Sequence, residues 1–436
     1  MDFKAIFRKS IMECVGLGGM IGAGVIIGTL LMIILYSLPT GRIYQNAGES
    51  VPLYSTQMTD NWSGSAPYTE LSNFTESIMI NNALYRPYEG NVENAMMNSY
   101  IYFDDLGMVQ SLVKFLADGP TGGVKVDYSR YWHGYLIYLI PGLAFFTVGE
   151  LKVLMMIVQT LLFSLCLYEF GKRDFLYVIL FAFVVMFINP VTTVLTFQDA
   201  DIYMIMLVFT FLFLKAGKWL KQKERWKFIF ALNGIMVSFI DFFTYPLVAF
   251  GIPMLTFLLV EESRGKKAVA MIMKSLFFWS SGYAGMWIGK WIMALLLTGN
   301  NTIAEGMDSV KFRTTGAFSD EKLTYRYVLH GMWDAVNDSP MWILFILSLM
   351  VAGVYIWKGK YSLSLKRESI SVMIPIFIVG MLPFVYYFVV RNHSAIHPWL
   401  EYRELAVTLF GAGILGIRLL SPGRKEDLVQ EGSGTQ

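Results

Sequence analysis

The stretch IMECVGLGGMIGAGVIIGTLLMIILYSL, residues 11–38, decides the fold class. Glu13 is its only charged residue, and about 20 mostly apolar residues are enough for a helix to cross a bilayer. Its glycines resemble those of a nucleotide-binding loop, but inside an apolar helix small residues favour close helix packing. A cleaved signal peptide is the alternative, although the apolar run is too long and lacks an Ala-x-Ala-like end. The stretch therefore predicts a first transmembrane helix.

The rest of the chain repeats this pattern. Nine further apolar stretches predict membrane-spanning helices: 150–170, 174–189, 200–216, 228–243, 245–260, 269–297, 340–357, 370–390 and 403–419. Residues 135–148 are less apolar and contain Pro141 and Gly142, which predicts an interfacial or re-entrant helix instead. The sequence therefore predicts an all-α polytopic membrane protein with about ten transmembrane helices.

The composition excludes other classes of protein. Hydrophobic residues make up 55% of the 436 residues and charged residues only 16%, whereas soluble domains carry about 25% charged residues. This excludes a soluble globular enzyme, a disordered chain and a collagen-like fibre. The net charge of +2 indicates no nucleic-acid partner. Cys14 and Cys166 both fall in apolar segments, which disfavours a disulfide framework and a cysteine metal site.

The lysine and arginine residues orient the predicted helices. Segment 215–227 carries six of them against Glu224, and segment 358–368 carries four against Glu368. Cytoplasmic loops are enriched in such residues, so these segments and both termini are predicted to be cytoplasmic. The opposite loops are acidic, with ten Asp/Glu against five Lys/Arg in 39–132 and six against four in 298–338. The prediction is a multi-pass protein of the plasma (cytoplasmic) membrane.

This topology divides the chain into six segments. In order they are the N-terminus with the first helix (1–38), a large extracytoplasmic loop with interfacial helices (39–149), helices two to seven (150–297), a second extracytoplasmic loop (298–339), helices eight to ten (340–425) and a polar cytoplasmic tail (426–436). Long connections are uncommon unless they are functional or disordered. The first loop is too apolar for disorder, so we expect it to form short helices on the membrane surface or over a cavity.

Polar and aromatic residues concentrate on the predicted outer side, so an active site is expected to face outward. The candidate substrate-binding residues are Tyr131, Trp132 and His133 in RYWHGY, Asp199 and Asp201 in QDADIY, and Asp241 and Thr244 in DFFTYP. Each group has a structural alternative. The aromatic residues could anchor the membrane interface, and the acids could cap or favour helix ends.

The cluster before the last predicted helix is the most informative. It contains His393, His397, Tyr402 and Arg403, also assigned as candidate substrate-binding residues. An arginine fork with neighbouring histidines suits a phosphate or pyrophosphate, and an interfacial loop with one ion pair is the alternative. The spacing of the two histidines fits a metal site on a helix, but Pro398 disfavours helix at His397.

The sequence resembles the GT-C superfamily of glycosyltransferases. The topology carries the resemblance, together with NFTESIM (73–79), SRYWHGYLIYLIPGL (129–143), DFFTYPLVAFGIPM (241–254) and NHSAIHPWLEYRELA (392–406). These segments look like those of bacterial GT-C-like membrane proteins. The resemblance implies transfer of a sugar from a polyprenyl-phosphate carrier to an extracytoplasmic acceptor of the cell envelope. Donor lipid, acceptor and lipid bilayer are the implied partners.

The resemblance also implies a catalytic acid in the first outer loop. Glu76 is the first choice as the general base, with Asp104 and Asp105 second. Many GT-C enzymes carry paired acids soon after the first span, and Asp104–Asp105 lies far down the loop, so the base stays open. The sequence does not identify a cofactor, and a divalent metal ion stays open.

Two other functions stay open. One is a polymerase or ligase of lipid-linked polysaccharide, although such enzymes usually place their large outer loop late in the chain. The other is a non-catalytic transporter or flippase. A transporter is expected to show paired broken helices and charged residues near the middle of the membrane. The lysines that lie within a predicted span here, Lys274 and Lys290, could both snorkel.

Overall fold

A computed structural model describes residues 3–54, 57–64, 67–315, 317–318, 321–362 and 370–422. These residues form a nearly all-α protein, which confirms the predicted class. The predicted polar tail, 426–436, lies outside the described residues.

The chain begins with a long helix and a compact outer segment. The helices are α1 (Phe3–Tyr36), α2 (Gly41–Glu49), α3 (Asn73–Leu84), α4 (Asn91–Met97) and α5 (Met108–Asp118). Two antiparallel strand pairs join them, β1 (Thr59–Asn61) with β2 (Glu70–Ser72) and β3 (Tyr100–Tyr102) with β4 (Val124–Val126). Short 3₁₀ turns occupy Val51–Leu53 and Pro67–Thr69. The described part of the first loop is therefore folded, with short helices as predicted.

The stretch predicted as interfacial or re-entrant forms α6 (Leu136–Phe145), with Pro141 inside it. One face of α6 is buried against α1 and α2. The hydroxyl of Tyr36 in α1 also donates to the carbonyl of Asn82 in α3. The first helix and the first loop are thus packed as one unit.

The central helices follow without long connections. They are α7 (Val148–Gly171), α8 (Phe175–Ile188), α9 (Pro190–Leu195), α10 (Phe197–Gln222), α11 (Trp226–Ile240), α12 (Pro246–Glu261) and α13 (Gly265–Thr298). Gly234 of α11 and Gly282 of α13 let these two helices touch. A Cβ on Gly234 would lie 2.2 Å from the Trp279 carbonyl oxygen, and one on Gly282 would lie 2.4 Å from that of Ala231. Small residues at this crossing therefore permit backbone contact.

The last part contains the second outer loop and three apolar segments. Its helices are α14 (Thr302–Thr314), α15 (Tyr325–Asn337), α16 (Met341–Tyr355), α17 (Ile370–Gly380), α18 (Leu382–Val389), α19 (Arg391–Ile396), α20 (Pro398–Glu401) and α21 (Leu405–Leu419). A π-helical turn (Ile356–Lys360) extends α16, and a 3₁₀ turn (Tyr402–Glu404) precedes α21. Its strands pair as β5 (Ala317–Phe318) with β6 (Glu321–Lys322) and β7 (Tyr361–Ser362) with β8 (Ser421–Pro422).

The predicted spans are only partly confirmed. All ten stretches are predominantly helical, but five described helical segments are long and apolar enough to cross a membrane: Phe7–Tyr36, Val148–Gly171, Phe197–Gln222, Met341–Lys358 and Ile370–Val389. Helices α8, α11 and α12 are apolar but shorter. The 14 residues of α8 extend about 21 Å, less than the ~30 Å hydrocarbon core. Membrane embedding is supported, and ten spans stays a prediction.

Ion pairs at one end of the bundle join segments that are predicted to be cytoplasmic. Glu13 of α1 binds Lys227 of α11 and Lys274 of α13, each at 2.5 Å. Lys221 binds Glu261 at 3.0 Å. Segments predicted to be outside also meet, because Arg130 binds Glu305 of α14 at 2.7 Å. These contacts are compatible with the alternating topology, which stays a prediction.

Single cysteines test the orientation. In intact cells, a membrane-impermeant maleimide is expected to label Asp60→Cys and Asp308→Cys close to completion, because both positions are exposed on predicted outer segments. Lys223→Cys and Lys358→Cys, exposed on predicted cytoplasmic segments, are expected to label only after permeabilisation.

The labelling background is Cys14→Ser with Cys166→Ala, since these are the two native cysteines. The labelled fraction is read from the gel shift of a maleimide-polymer conjugate. The reverse labelling pattern would overturn the orientation and the outward-facing site together.

Candidate functional site

A cavity of about 420 Å³ lies where the predicted outer segments meet. The first loop, the starts of α10 and α12, the end of α14, and α19–α20 contribute its walls. The lining residues are Met58, Thr59, Glu70, Ser72, Phe74, Thr75, Ile78, Tyr128, Gln198, Phe242, Phe243, Arg313, His393, Ile396, His397, Trp399 and Leu400. Four of the sequence clusters, NFTE, QDADIY, DFFTYP and NHSAIHPW, thus meet at one site.

Two of the sequence-predicted site residues, His393 and His397, line this cavity. Their ring centroids are 4.8 Å apart. Helix α19 ends at Ile396, before His397, as Pro398 predicts. Burial lowers the pKa of His397 to about 4 and that of His393 well below its usual value of 6.5. Both imidazoles are therefore neutral at neutral pH and are hydrogen-bonding groups, not cations.

The cation of the cavity is Arg313, at the C-terminal end of α14. Its guanidinium donates to Nδ1 of His393 and to the hydroxyl of Tyr131, each at 2.5 Å. It also lies 4.8 Å from the centroid of the Phe243 ring. The predicted site residue Tyr131 therefore acts behind the cavity wall, where it positions Arg313.

His393 connects Arg313 to Glu401 of α20 by hydrogen bonds. Because Nδ1 accepts from Arg313, the proton of the neutral ring belongs on Nε2. Nε2 lies 2.8 Å from the carbonyl oxygen of Phe243 and 3.0 Å from Oε1 of Glu401. Burial raises the pKa of Glu401 well above its usual value. Arg313, His393 and Glu401 thus form a hydrogen-bonded chain behind the cavity.

The carboxyl group of the cavity belongs to Glu70, in β2. The residue is partly exposed, and partial burial raises the pKa of its carboxyl. A carboxyl that is reachable and less acidic than usual is better suited than an ordinary glutamate to accept a proton from a substrate. Sequence reasoning missed both Glu70 and Arg313, because each is an ordinary charged residue in a polar loop.

Arg403 lies elsewhere. It is fully buried, and its Nη1 is 3.3 Å from Oδ1 of Asp199. Its Nε donates to the Ile188 carbonyl at 2.9 Å and its Nη1 to that of Trp399 at 3.1 Å. Ile188 is the last residue of α8, so Arg403 binds a helix-end carbonyl. Arg403 and its neighbour Tyr402, also buried, do not line the cavity.

The other buried acids hold helix ends and neighbouring segments. Oδ1 of Asp201 accepts from the Tyr138 hydroxyl at 2.9 Å. Asp241, just after α11, accepts from the backbone N–H of Phe243 and from the N–H and hydroxyl of Thr244. Asp241 and Thr244 therefore shape the turn that carries Phe243 into the cavity wall.

Glu76 lines a second, smaller cavity of about 190 Å³. Its carboxylate binds Lys152 of α7 at 2.6 Å and accepts from the N–H of Phe197 at 3.3 Å. Phe197 is the first residue of α10, so Glu76 also serves as a partner for a helix N-terminus. Asp104 and Asp105 are exposed in a turn and line neither of these two cavities.

Trp132 and His133 are buried and do not line the cavity. The indole of Trp132 donates to the Met286 carbonyl at 2.7 Å. His133 has a positive φ of 55°, and its Nε2 lies 2.8 Å from the Tyr128 carbonyl. Burial lowers the pKa of His133 to about 3. These contacts fix the shape of RYWHGY and place Tyr128 in the cavity.

Among the described residues, no three His, Cys, Asp or Glu side chains lie close enough together to hold a metal ion. Comparisons with protein-family models, curated proteins and solved structures found no match for this chain.

Proposed function

We propose that this chain is a membrane-embedded glycosyltransferase that moves a sugar from a polyprenyl-phosphate carrier to an extracytoplasmic acceptor. The observation that supports it is the outer cavity, which combines a guanidinium and a carboxyl of raised pKa with a polar and aromatic wall. A phosphosugar requires a cation for its phosphate, a base for the acceptor and aromatic surfaces for the sugar.

Arg313 is the proposed phosphate ligand. Two hydrogen bonds, to His393 and Tyr131, hold its guanidinium in place. Its remaining N–H groups have no further side-chain partner among the described residues and are proposed to meet phosphate oxygens. Charge-assisted bonds from arginine strengthen as negative charge builds on a leaving group. Arg313 thus takes the role that the sequence had suggested for Arg403.

Glu70 is the proposed general base. In the reaction, its carboxylate takes the proton of the acceptor hydroxyl, whose oxygen forms a bond to the anomeric carbon. The bond from that carbon to the phosphate oxygen breaks, and the polyprenyl phosphate leaves with the electron pair. Attack opposite the leaving group inverts the configuration at the anomeric carbon.

Transfer of radiolabelled sugar tests the function. Purified protein in liposomes is incubated with synthetic polyprenyl-phosphate sugars, and the product is separated from the lipid donor. A labelled acceptor together with released polyprenyl phosphate is the expected result. Elongation of a diphosphate-linked oligosaccharide would indicate a polymerase instead, and donor movement across the bilayer without transfer would indicate a flippase.

Arg313→Lys is expected to lower transfer about 10- to 100-fold, since losing one bond to a charged group typically costs about 1.5–3 kcal/mol. Lysine keeps the charge but cannot bind His393, Tyr131 and a phosphate through one planar fork. Initial rates at varied donor concentration measure the effect. Arg326→Lys, an exposed change in the same outer loop, is the control, and equal activity in both variants would remove Arg313 from the site.

A further inference from the structure

A third cavity, almost entirely apolar, opens between α8, α16 and α21. It encloses about 410 Å³, and its walls include Leu180, Phe183, Phe345, Leu409, Gly413 and Gly416. It extends from the middle of these helices to their predicted cytoplasmic ends, where Leu176, Ile356 and Leu420 border it. We call it the lower groove.

The outer wall of the lower groove is α16, which is poorly covered by protein. Only 6% of the apolar window in Met341–Lys358 is buried, and α16 packs mainly on α8. A groove walled by a helix of this kind opens to the hydrocarbon of the bilayer. The chemistry of its lining fits an acyl chain.

Cationic side chains stand at the predicted cytoplasmic end of the lower groove. Arg418 is in the last turn of α21, and Arg173 directly precedes the cap of α8. Arg418 hydrogen-bonds to Tyr177, and Arg173 acts electrostatically on the same hydroxyl, so both side chains lie in the neighbourhood of Tyr177. Nε of Arg418 is buried and has no hydrogen-bond partner among the residues that the structure describes.

The backbone brings more positive charge to this end. Strands β7 and β8 pair, which joins the segments that follow α16 and α21. Lys358 lies just before β7 in the sequence. The nearby acids are engaged, because Asp174 accepts from the N–H of Leu176 and Glu169 binds Lys172.

We propose that the lower groove is a binding site for one anionic phospholipid of the cytoplasmic leaflet. An acyl chain would fill the apolar walls, and the headgroup phosphate would bind Arg418 and Arg173. Basic residues near a membrane surface attract anionic lipids, and a planar guanidinium matches phosphate oxygens. This site is separate from the outer cavity and does not depend on the sugar-transfer function.

Native mass spectrometry of the detergent-solubilised protein tests the site. Phosphatidylglycerol and phosphatidylcholine with identical acyl chains are titrated as probes, and the fraction of protein that retains one lipid is measured. We expect phosphatidylglycerol to be retained preferentially. Each of Arg173→Gln and Arg418→Gln is expected to weaken it about fivefold, whereas Arg264→Gln, an exposed basic position at the same end, is not.

Two glycine variants test the apolar groove independently of the basic residues. Gly416 lines the groove, and a Cβ there would meet nothing within 4 Å. Gly416→Leu is therefore expected to fill the groove and reduce retention of both lipids without disturbing the fold. Gly353→Leu is the matched control, because this α16 glycine is equally open but outside the groove.

Three results would overturn the proposal. The first is equal retention of the two phospholipids, and the second is unchanged lipid retention in Gly416→Leu. The third is a lipid-free dimer of the unaltered protein that becomes monomeric in Gly416→Leu. The last result would make the groove an interface between two copies of this chain.

Discussion

Glu70→Gln is expected to lower sugar transfer about 10²- to 10⁴-fold, the usual contribution of a general base. Glutamine has nearly the same shape but cannot accept the proton of the acceptor hydroxyl. Glu70 is partly exposed in a three-residue strand, so the protein should fold normally and bind donor as before. Transfer rates and donor binding are measured on the same preparation.

Three matched variants separate Glu70 from the acids that the sequence favoured. Asp104→Asn and Asp105→Asn change an exposed turn and are expected to transfer sugar normally. Glu76→Gln breaks the ion pair with Lys152, so its main effect is expected on thermal stability. Loss of transfer in a fully stable Glu76→Gln, with Glu70→Gln active, would return the base to Glu76.

The pH dependence gives an independent check on Glu70. A base works only when deprotonated, and burial raises the pKa of this carboxyl above 4.5. Activity should therefore fall as the pH drops through the raised pKa, at a higher pH than an ordinary glutamate would give. This acid limb is expected to be missing from the residual activity of Glu70→Gln. A limb that persists there would belong to another group.

Arg403→Met is expected to destabilise the protein by about 3–5 kcal/mol, since removing one partner of a buried ion pair leaves an uncompensated charge. In this variant the carboxylate of Asp199 loses its ion-pair partner, and the carbonyls of Ile188 and Trp399 lose their hydrogen bonds from Arg403. Thermal unfolding in detergent and the monomer peak in gel filtration measure the loss. Arg326→Met, on an exposed position, is the control.

A double variant distinguishes a structural role of Arg403 from a catalytic one. Replacing both partners by apolar residues is often close to neutral, so Arg403→Met with Asp199→Leu should recover much of the lost stability. Transfer per folded molecule should change little in Arg403→Lys. A folded Arg403→Lys protein with little transfer would instead place Arg403 on the carrier phosphate.

The apolar stretches were sufficient to predict a nearly all-α protein with helices able to cross a membrane. The sorting of its loops, inferred from the basic segments, stays a prediction. Both properties depend on local composition, which a sequence states directly: residues 11–38 cannot remain in water, and the lysines of 215–227 cannot enter lipid. Convergence of the outer clusters was also predictable, because they lie at the same ends of successive helices. His393 and His397, chosen because an arginine with neighbouring histidines suits a phosphate, line the cavity, and their role there stays a prediction.

Only the tertiary structure distinguished the charged residues that line the cavity from those held in buried ion pairs. Arg403 and Arg313 are both arginines on predicted outer segments, yet one is fully buried beside Asp199 and the other reaches the cavity. Glu76 and Glu70 are six residues apart, but Glu76 turns to Lys152 and Glu70 to the cavity. Which charge is paired inside and which remains available depends on long-range contacts between helices, and the sequence near each residue does not record those contacts.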